Sequence, residues 1–367
     1  MKSRNTCIYI TLFLLLLACD RADVAENNHI SLKASIGEMN TVSKGSTSVA
    51  APYEGTSPAD STLVSDVWFS KSASYFPHNP SGDPATNLPC HTTMTFTSDA
   101  ATYADYKPAG QSVAQTLKYP INGDDVYCVG FHPQSDPAYP KAGWYTEDGI
   151  NVSHPINGCE DLMFAGIISG DWNNHFQTQS YKHLLTWVKV SVCAMTMETA
   201  RQWGKVTKVT ISSKDSLNIN LSTNPANVTY DYTKDSPKIL TVYDDEATGT
   251  ELSLTSKVIG SAFCSPMTVS VPVIGNDGKP TGANKTVAGY EVSITTEHGG
   301  TKTIPVTLSD LDYVEITDPA STVGKLYILS LYFNPFNIIE GTCTLNYWNG
   351  QNEDLYLTPS ANQNNVD

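Results

Sequence analysis

The sequence predicts an all-β protein with two β-sandwich domains in tandem. Threonine, serine, asparagine and tyrosine are plentiful, while charged residues make up only 16% of the chain. This profile is typical of β-sheet surfaces displayed outside the cell. Short apolar or alternating runs recur along the chain, and turn residues separate them about every 8 to 12 residues. That spacing is typical of β-sandwiches.

The first 18 residues are predicted to be a lipoprotein signal peptide. Lys2 and Arg4 precede an uncharged, largely apolar run at 7–17, which is shorter than the roughly 20 residues of a transmembrane helix. The run ends at Ala18 and Cys19, a small residue before a cysteine, as in lipoprotein cleavage sites. We expect cleavage between them, acylation of Cys19 and attachment to the outer membrane through lipid alone. The alternative is an ordinary signal peptide with a chance cysteine near its cut site.

The charge of the mature chain excludes one class of partner. Loss of Lys2 and Arg4 with the leader leaves 20 of the 22 basic residues against 37 acidic ones, a formal charge of −17. Such a surface repels nucleic acid, so no nucleic-acid partner is expected. The length predicts two domains, at 19–175 and 176–367.

The sequence leaves open whether the cysteines of the mature chain form disulfides. Six follow Cys19, at positions 90, 128, 159, 193, 264 and 343. Six cysteines allow 15 pairings, and their spacing selects none. Several lie in apolar runs, where a thiol also serves as a small buried hydrophobe.

The N-terminal domain begins with a tether, a strand and a linker. Residues 20–29 are polar and are predicted to be a flexible tether. Residues 30–36 alternate apolar and polar side chains, which predicts a strand with one buried face. Residues 37–60 are rich in serine, threonine, glycine and alanine and are predicted to be a loose linker. Further strands are predicted at 64–69, 92–96 and 125–131, with proline-rich loops between them.

The C-terminal domain is predicted to be more regular. The clearest strand is at 184–194, where alternate apolar residues share one face. The other strands are predicted at 206–211, 217–221, 239–243, 267–274, 290–296, 301–308, 325–333 and 342–348. Only 198–203 is predicted to be helical.

The sequence has none of the common catalytic, metal-binding or phosphate-binding motifs, so we expect neither an enzyme nor a cofactor. The histidines are scattered, and loop or capping roles are the simpler interpretation. Several tryptophans could instead form a platform for stacking on sugar rings, although aromatic residues also fill β-sheet cores. These are Trp68, Trp144, Trp172, Trp203 and Trp348.

Several features together resemble the fimbrillin family, the subunits of type V pili of anaerobic Gram-negative bacteria. They are the lipoprotein leader, the isolated alternating segment at 30–36, and the segment 161–165 followed by the strand-like run 183–192. Near the end, the run 324–333 leads into a strand ending at Trp348. The resemblance covers almost the whole chain and depends on the order and spacing of these motifs.

The resemblance implies transthyretin-like sandwiches and assembly by strand exchange. A trypsin-like protease cuts after the first strand, which leaves an apolar groove for a C-terminal segment of the next subunit. Other pilus subunits, in a homo- or hetero-polymer, are then the partners, and adhesion to a host or bacterial surface ligand is the role. The exchangeable side chains would be Ile30, Leu32, Ala34 and Ile36. The candidate donor side chains are Leu345, Tyr347, Leu355 and Leu357.

The chain departs from the family at the cleavage site. Fimbrillins are usually cut after an arginine in the linker, but here Arg21 precedes the strand and the linker has only Lys44, followed by Gly45. Without cleavage at Lys44, the chain would be a basal anchor or a non-polymerising relative. A permanent edge strand at 30–36 is the structural alternative. The functional alternative is a surface lipoprotein that binds glycans through its sandwich domains.

Overall fold

A computed structural model describes residues 28–36, 62–77, 88–97, 100–107, 112–135, 143–232, 236–311, 313–335 and 339–346. Within these ranges β-strands dominate, and helix is confined to one seven-residue α-helix and one short 3-10 helix. The predicted all-β fold class is confirmed. None of the helices in these ranges is long and apolar enough to cross a membrane.

The first half of the chain contributes twelve of the described strands. They are β1 (Ser31–Leu32), β2 (Ala34–Ile36), β3 (Leu63–Ser70), β4 (Cys90–Phe96), β5 (Thr102–Tyr103), β6 (Asp105–Tyr106), β7 (Gln115–Thr116), β8 (Val126–His132), β9 (Tyr145–Thr146), β10 (Asn151–Pro155), β11 (Met163–Gly170) and β12 (Gln179–His183).

The second half contributes twelve more and the α-helix. The strands are β13 (Thr186–Ala194), β14 (Lys205–Ser213), β15 (Ser216–Asn220), β16 (Asn227–Asp231), β17 (Lys238–Asp244), β18 (Thr250–Glu251), β19 (Lys257–Cys264), β20 (Thr268–Ile274), β21 (Pro280–Thr296), β22 (Gly300–Thr307), β23 (Leu326–Phe333) and β24 (Ile339–Asn346). Helix α1 (Met197–Trp203) begins after Thr196, whose hydroxyl accepts a hydrogen bond from the Thr199 N–H at 3.0 Å. This is a regular N-cap.

The strands form four larger sheets. The first has the order β2-β12-β11-β8-β3-β4, with β2 parallel to β12 at its edge. The second is β16-β15-β10-β9. The third is β19-β13-β23-β24, and the fourth is β17-β14-β21-β20, with β18 paired to β14 and β22 paired to β21. Two small sheets pair β1 with β5 and β6 with β7.

The first sheet separates two apolar clusters, because successive residues of a strand point to opposite faces. On β3 and β8, Trp68 and Phe131 face a central cluster that continues into β13, β14, β21 and β23. Val67 and Cys128 face a smaller cluster that contains the N-terminal residues 30, 32, 34 and 36. We call this smaller set the ribbon cluster, because the N-terminal segment 28–36 runs through it as an extended ribbon.

Strand pairing crosses the predicted domain boundary at residues 175 and 176 in two places. Strand β12 follows that boundary but pairs with β11 and β2 of the first sheet. Strand β15 pairs with β10 over five residues. The second sheet therefore combines β9 and β10 with β15 and β16, which follow β13 in the chain, and the division of the chain into two domains stays a prediction.

Candidate functional site

The candidate site is the N-terminal segment 28–36, which we call the ribbon, and the slot that it occupies. Ile30 and Leu32 are 0% exposed, Ala34 is 3% exposed and Ile36 is 6% exposed. Lys33, between two of these positions, is exposed. The predicted alternation is therefore present, and its apolar side chains point inward.

The main chain of the ribbon changes neighbours half-way along. The Ile30 N–H donates to the Leu117 carbonyl at 2.8 Å, and the Ile30 carbonyl accepts from the Ala104 N–H at 3.0 Å. Further along, the Lys33 carbonyl accepts from the Gln179 N–H at 2.8 Å, and β2 runs parallel to β12. The ribbon thus joins the loop strands near residues 104 and 117 to the edge of the first sheet.

The slot around the ribbon is apolar. The ribbon cluster contains aromatic and aliphatic side chains from β3, β4, β8, β11 and β12 and from the segments near residues 104 and 117. Phe69, Phe96, Tyr119 and Tyr181 are its largest members, and each is at most 1% exposed. An empty slot would expose these groups to water, which is unfavourable in proportion to the apolar area.

Two polar side chains lie beneath the ribbon and are hydrogen-bonded. Tyr181 Oη donates to Gln179 Oε1 at 3.3 Å, and Gln179 Nε2 lies 3.8 Å from Cys128 Sγ. Desolvation raises the pKa of Tyr181 and that of Cys128 well above their usual values. Both groups therefore stay neutral, which suits an apolar slot.

The cysteines in the described residues are all free thiols. Cys90, Cys128, Cys193 and Cys264 are buried, Cys343 is half-buried and Cys159 is exposed. Burial raises the pKa of Cys90 to about 12, and burial also raises that of Cys343 to about 12. The buried thiols therefore act as small hydrophobic groups.

A buried polar group borders the ribbon cluster at Met163. His132 and His183 flank Met163 in register on β8, β11 and β12. His183 Nδ1 lies 2.9 Å from Asp161 Oδ1, and both side chains are 3% exposed. Desolvation lowers the pKa of His132, against the opposing effect of Asp161. The sequence suggested only scattered histidines, because the register that brings these two together is not visible in local spacing.

No cluster of three or more histidine, cysteine, aspartate or glutamate side chains within the described ranges could hold a metal ion. The Asp161–His183 pair lies where β12 leads into β13. The Leu184 N–H donates to the Leu162 carbonyl at 2.8 Å at the same point.

The alternative of a tryptophan platform finds no support among the described residues. Trp68, Trp144 and Trp203 are at most 2% exposed and belong to the central cluster. Trp172 is half-buried against the ribbon cluster. Trp348 lies outside the described residues. The three buried indoles are core residues, as their β-sheet context favours.

Most of the predicted processing and donor residues lie outside the described residues. These are Ala18, Cys19, Lys44, Gly45, Tyr347, Leu355 and Leu357. Leu345 is described, on edge strand β24, where it pairs with Tyr327 and packs against the central cluster. Leu345 is therefore already engaged within its own chain.

Comparison with known proteins gives structural likenesses only. No protein-family model matches the chain, and no curated protein matches it. A candidate cell adhesion protein from Bacteroides uniformis is 12% identical, with a TM-score of 0.49 over 87% of this chain and 99% of that chain. A candidate cell adhesion protein from Bacteroides ovatus is 11% identical, with a TM-score of 0.43 over 87% of this chain and 95% of that chain. Candidate polysaccharide-binding proteins from Bacteroides thetaiotaomicron are 8% identical, with a TM-score of 0.41 over 78% of this chain and 89% of that chain. Likenesses at this level do not assign a function.

Proposed function

We propose that this chain is an exported, lipid-anchored subunit or accessory of a cell-surface pilus of the fimbrillin type, with a role in adhesion. The observation that carries the proposal is the ribbon. Four side chains at alternate positions, Ile30, Leu32, Ala34 and Ile36, are at most 6% exposed. They fill a slot with apolar walls at the edge of a sheet.

The energetics of the slot favour replacement of the ribbon over an empty slot. Burial of Ile30, Leu32 and Ile36 contributes roughly 1.5–3 kcal/mol each, a gross ~5–9 kcal/mol before ordering costs. Main-chain hydrogen bonds to Leu117, Ala104 and Gln179 add to this. A second chain with the same alternation would restore both contributions, as in β-augmentation.

In this proposal the protein is made as an outer-membrane lipoprotein anchored at Cys19. Cleavage after Lys44 frees the ribbon from the folded domains, and the C-terminal segment of another subunit takes its place. Leu345 is paired in its own sheet, so Tyr347, Leu355 and Leu357 are the preferred donor side chains. A chain that keeps its lipid would act as the anchor of the fibre.

Limited digestion with trypsin tests the proposal. We expect cleavage after Lys44, a new N terminus at Gly45 and a ladder of oligomers that resists dissociation. Lys33 should be spared because it lies in the hydrogen-bonded ribbon. The matched control is Lys44→Gln, which should give neither the new N terminus nor the ladder. Cleavage at Lys44 without any oligomer would contradict strand exchange.

The alternative function, glycan binding through a tryptophan platform, has little to support it in the described residues. Three of the five proposed platform residues, Trp68, Trp144 and Trp203, are buried. A glycan role would need a different surface.

A further inference from the structure

A small open cleft lies at the end of the first sheet, away from the buried Asp161–His183 pair. The ends of β8 and β11, the turn after β3 and the β15–β16 turn enclose about 220 Å³. Pockets for drug-sized ligands are larger, about 300–1,000 Å³. The cleft therefore has room for one small unit and not for an extended chain.

The polar part of the cleft consists of hydroxyl and amide groups. Ser74, Ser169 and Asn224 line it. In the described part of the chain, these three exposed side chains make no hydrogen bond to another protein group. The cleft lining contains no charged side chain. Tyr127 also lines the cleft, and its hydroxyl donates to Asp125 Oδ2 at 3.3 Å. An anionic ligand would find no counter-charge in this lining, and the net charge of −15 disfavours anions further.

The β15–β16 turn is held in place by its own hydrogen bonds. Ser222 Oγ donates to Asn220 Oδ1 at 2.6 Å, and Thr223 Oγ1 accepts from the Asn227 N–H at 3.0 Å. The Leu221 N–H donates to the Ile150 carbonyl at 2.9 Å. A turn fixed in this way loses little conformational freedom when a ligand binds.

The apolar part of the cleft comes from β11 and from the β15–β16 turn. Leu221 is buried, and Ile167 and Ile168 are half-buried. The two isoleucines follow each other at a register shift in β11, between Ala165 and Ile168. Such β-bulges redirect side chains and are frequent beside functional sites. The cleft therefore presents aliphatic carbon on one part and uncharged hydrogen-bonding groups on another.

We propose that this cleft binds a single uncharged pyranose unit of a surface glycan. A pyranose ring has C–H patches and hydroxyl groups on one small body, and it carries no charge. The inference adds a ligand class to the adhesive role proposed above and rests on that role for its biological meaning. Binding itself does not require strand exchange.

Ligand-observed saturation-transfer NMR on the full mature chain tests the inference. The probes are the methyl glycosides of galactose, mannose, fucose and N-acetylglucosamine, and that of sialic acid as a charged probe. We expect at least one neutral glycoside to bind with a Kd on the order of 1 mM and the sialoside not to bind. Ser169→Trp fills the cleft and should weaken binding at least tenfold.

Two further variants make the result decisive. Ser270→Trp is the matched control, since Ser270 is also an exposed serine on a strand, on β20 away from the cleft; it should bind like the unmodified chain. Asn224→Ala removes one amide with little risk to folding and should weaken binding severalfold. The inference is overturned if no neutral glycoside binds, or if binding survives both cleft substitutions. A chain that binds glycosides but forms no ladder after trypsin would contradict strand exchange alone.

Discussion

At the scale of single residues, burial determines what each side chain contributes. Leu32 and Lys33 are neighbours on the ribbon, yet Leu32 is 0% exposed and Lys33 is exposed. The contrast follows from the two-residue period of a strand, which places them on opposite faces. It also makes them a natural pair for testing how strongly the ribbon is held.

Leu32→Ala should reduce the free energy of unfolding by about 2–5 kcal/mol, because a cavity remains where the isobutyl group was. Lys33→Ala should change it by less than about 0.5 kcal/mol, as for an exposed surface position. Urea denaturation, with the slope held equal, measures both. Equal effects of the two substitutions would show that the ribbon is not anchored by its inner face.

Gly130 faces the β12 side chains that lie beneath the ribbon. A Cβ at Gly130 would lie 2.2 Å from Tyr181 Oη and 3.0 Å from Gln179 Oε1. Gly130→Ala should therefore cost about 1–3 kcal/mol of stability through overpacking. Gly166→Ala on β11 meets no atom within 4 Å and should be close to neutral. The same urea experiment compares them, and a neutral Gly130→Ala would mean that the Tyr181 contact is absent.

His154 should make the protein sensitive to acid. It is 2% exposed, its Nδ1–H donates to the Pro155 carbonyl at 2.7 Å, and its ring lies 4.6 Å from that of Trp144. Desolvation lowers the pKa of His154 to about 4. The unfolded chain therefore takes up the proton first, near its usual pKa of about 6.5.

The sign of the effect follows from that order. Neutral His154 makes its full contribution to the free energy of unfolding above about pH 6.5. This contribution is lost as the pH falls towards 4, and the loss amounts to roughly 3 kcal/mol in total. His154→Gln should flatten this decline, leaving the part due to His132. Unfolding free energies measured between pH 4 and 7 test this. Parallel pH curves for the two proteins would contradict it.

At the scale of elements, local patterns predicted the strands better than their partners. The predicted strands at 64–69, 206–211 and 325–333 correspond to β3, β14 and β23. The alternation at 30–36 likewise predicted the inward face of the ribbon. Apolar periodicity is a local signal, so these strands could be recognised from sequence alone.

The partner of each strand, and the full length of some strands, could not be predicted from local patterns. The parallel contact of β2 with β12, across some 140 residues, depends on tertiary packing. Strand β21 extends back to Pro280 through a segment with proline, glycine and asparagine, residues that predict a turn. The cleft at Ser169 and Asn224 was missed because it joins elements from both halves of the chain.

Release of the ribbon should have a local signature. The N–H groups of Ala104 and Gln179 donate to ribbon carbonyls, whereas the Trp187 N–H donates to the Lys325 carbonyl in the third sheet. After cleavage at Lys44 and removal of the ribbon, amide exchange should accelerate at Ala104 and Gln179 but not at Trp187. Hydrogen-exchange mass spectrometry measures this, and uniform acceleration would indicate global unfolding.

At the scale of the whole molecule, the two apolar clusters have different roles. The central cluster unites strands from both halves, including β3, β8, β13 and β23. The ribbon cluster is smaller and contains all four inward side chains of the ribbon. Loss of the ribbon therefore exposes one face of the first sheet, while the central cluster keeps its own contacts. This arrangement would let the molecule exchange a strand without unfolding.

The most direct test of this account is exchange of the ribbon itself. Trypsin-cleaved protein is mixed with an excess of an isotope-labelled peptide of residues 28–36, and native mass spectrometry follows the bound peptide. We predict one labelled peptide per chain, no uptake by the Lys44→Gln variant, and no uptake of a peptide in which Leu32 and Ala34 are replaced by aspartate. Cleaved protein that retains its own ribbon and takes up no labelled peptide would contradict the central claim.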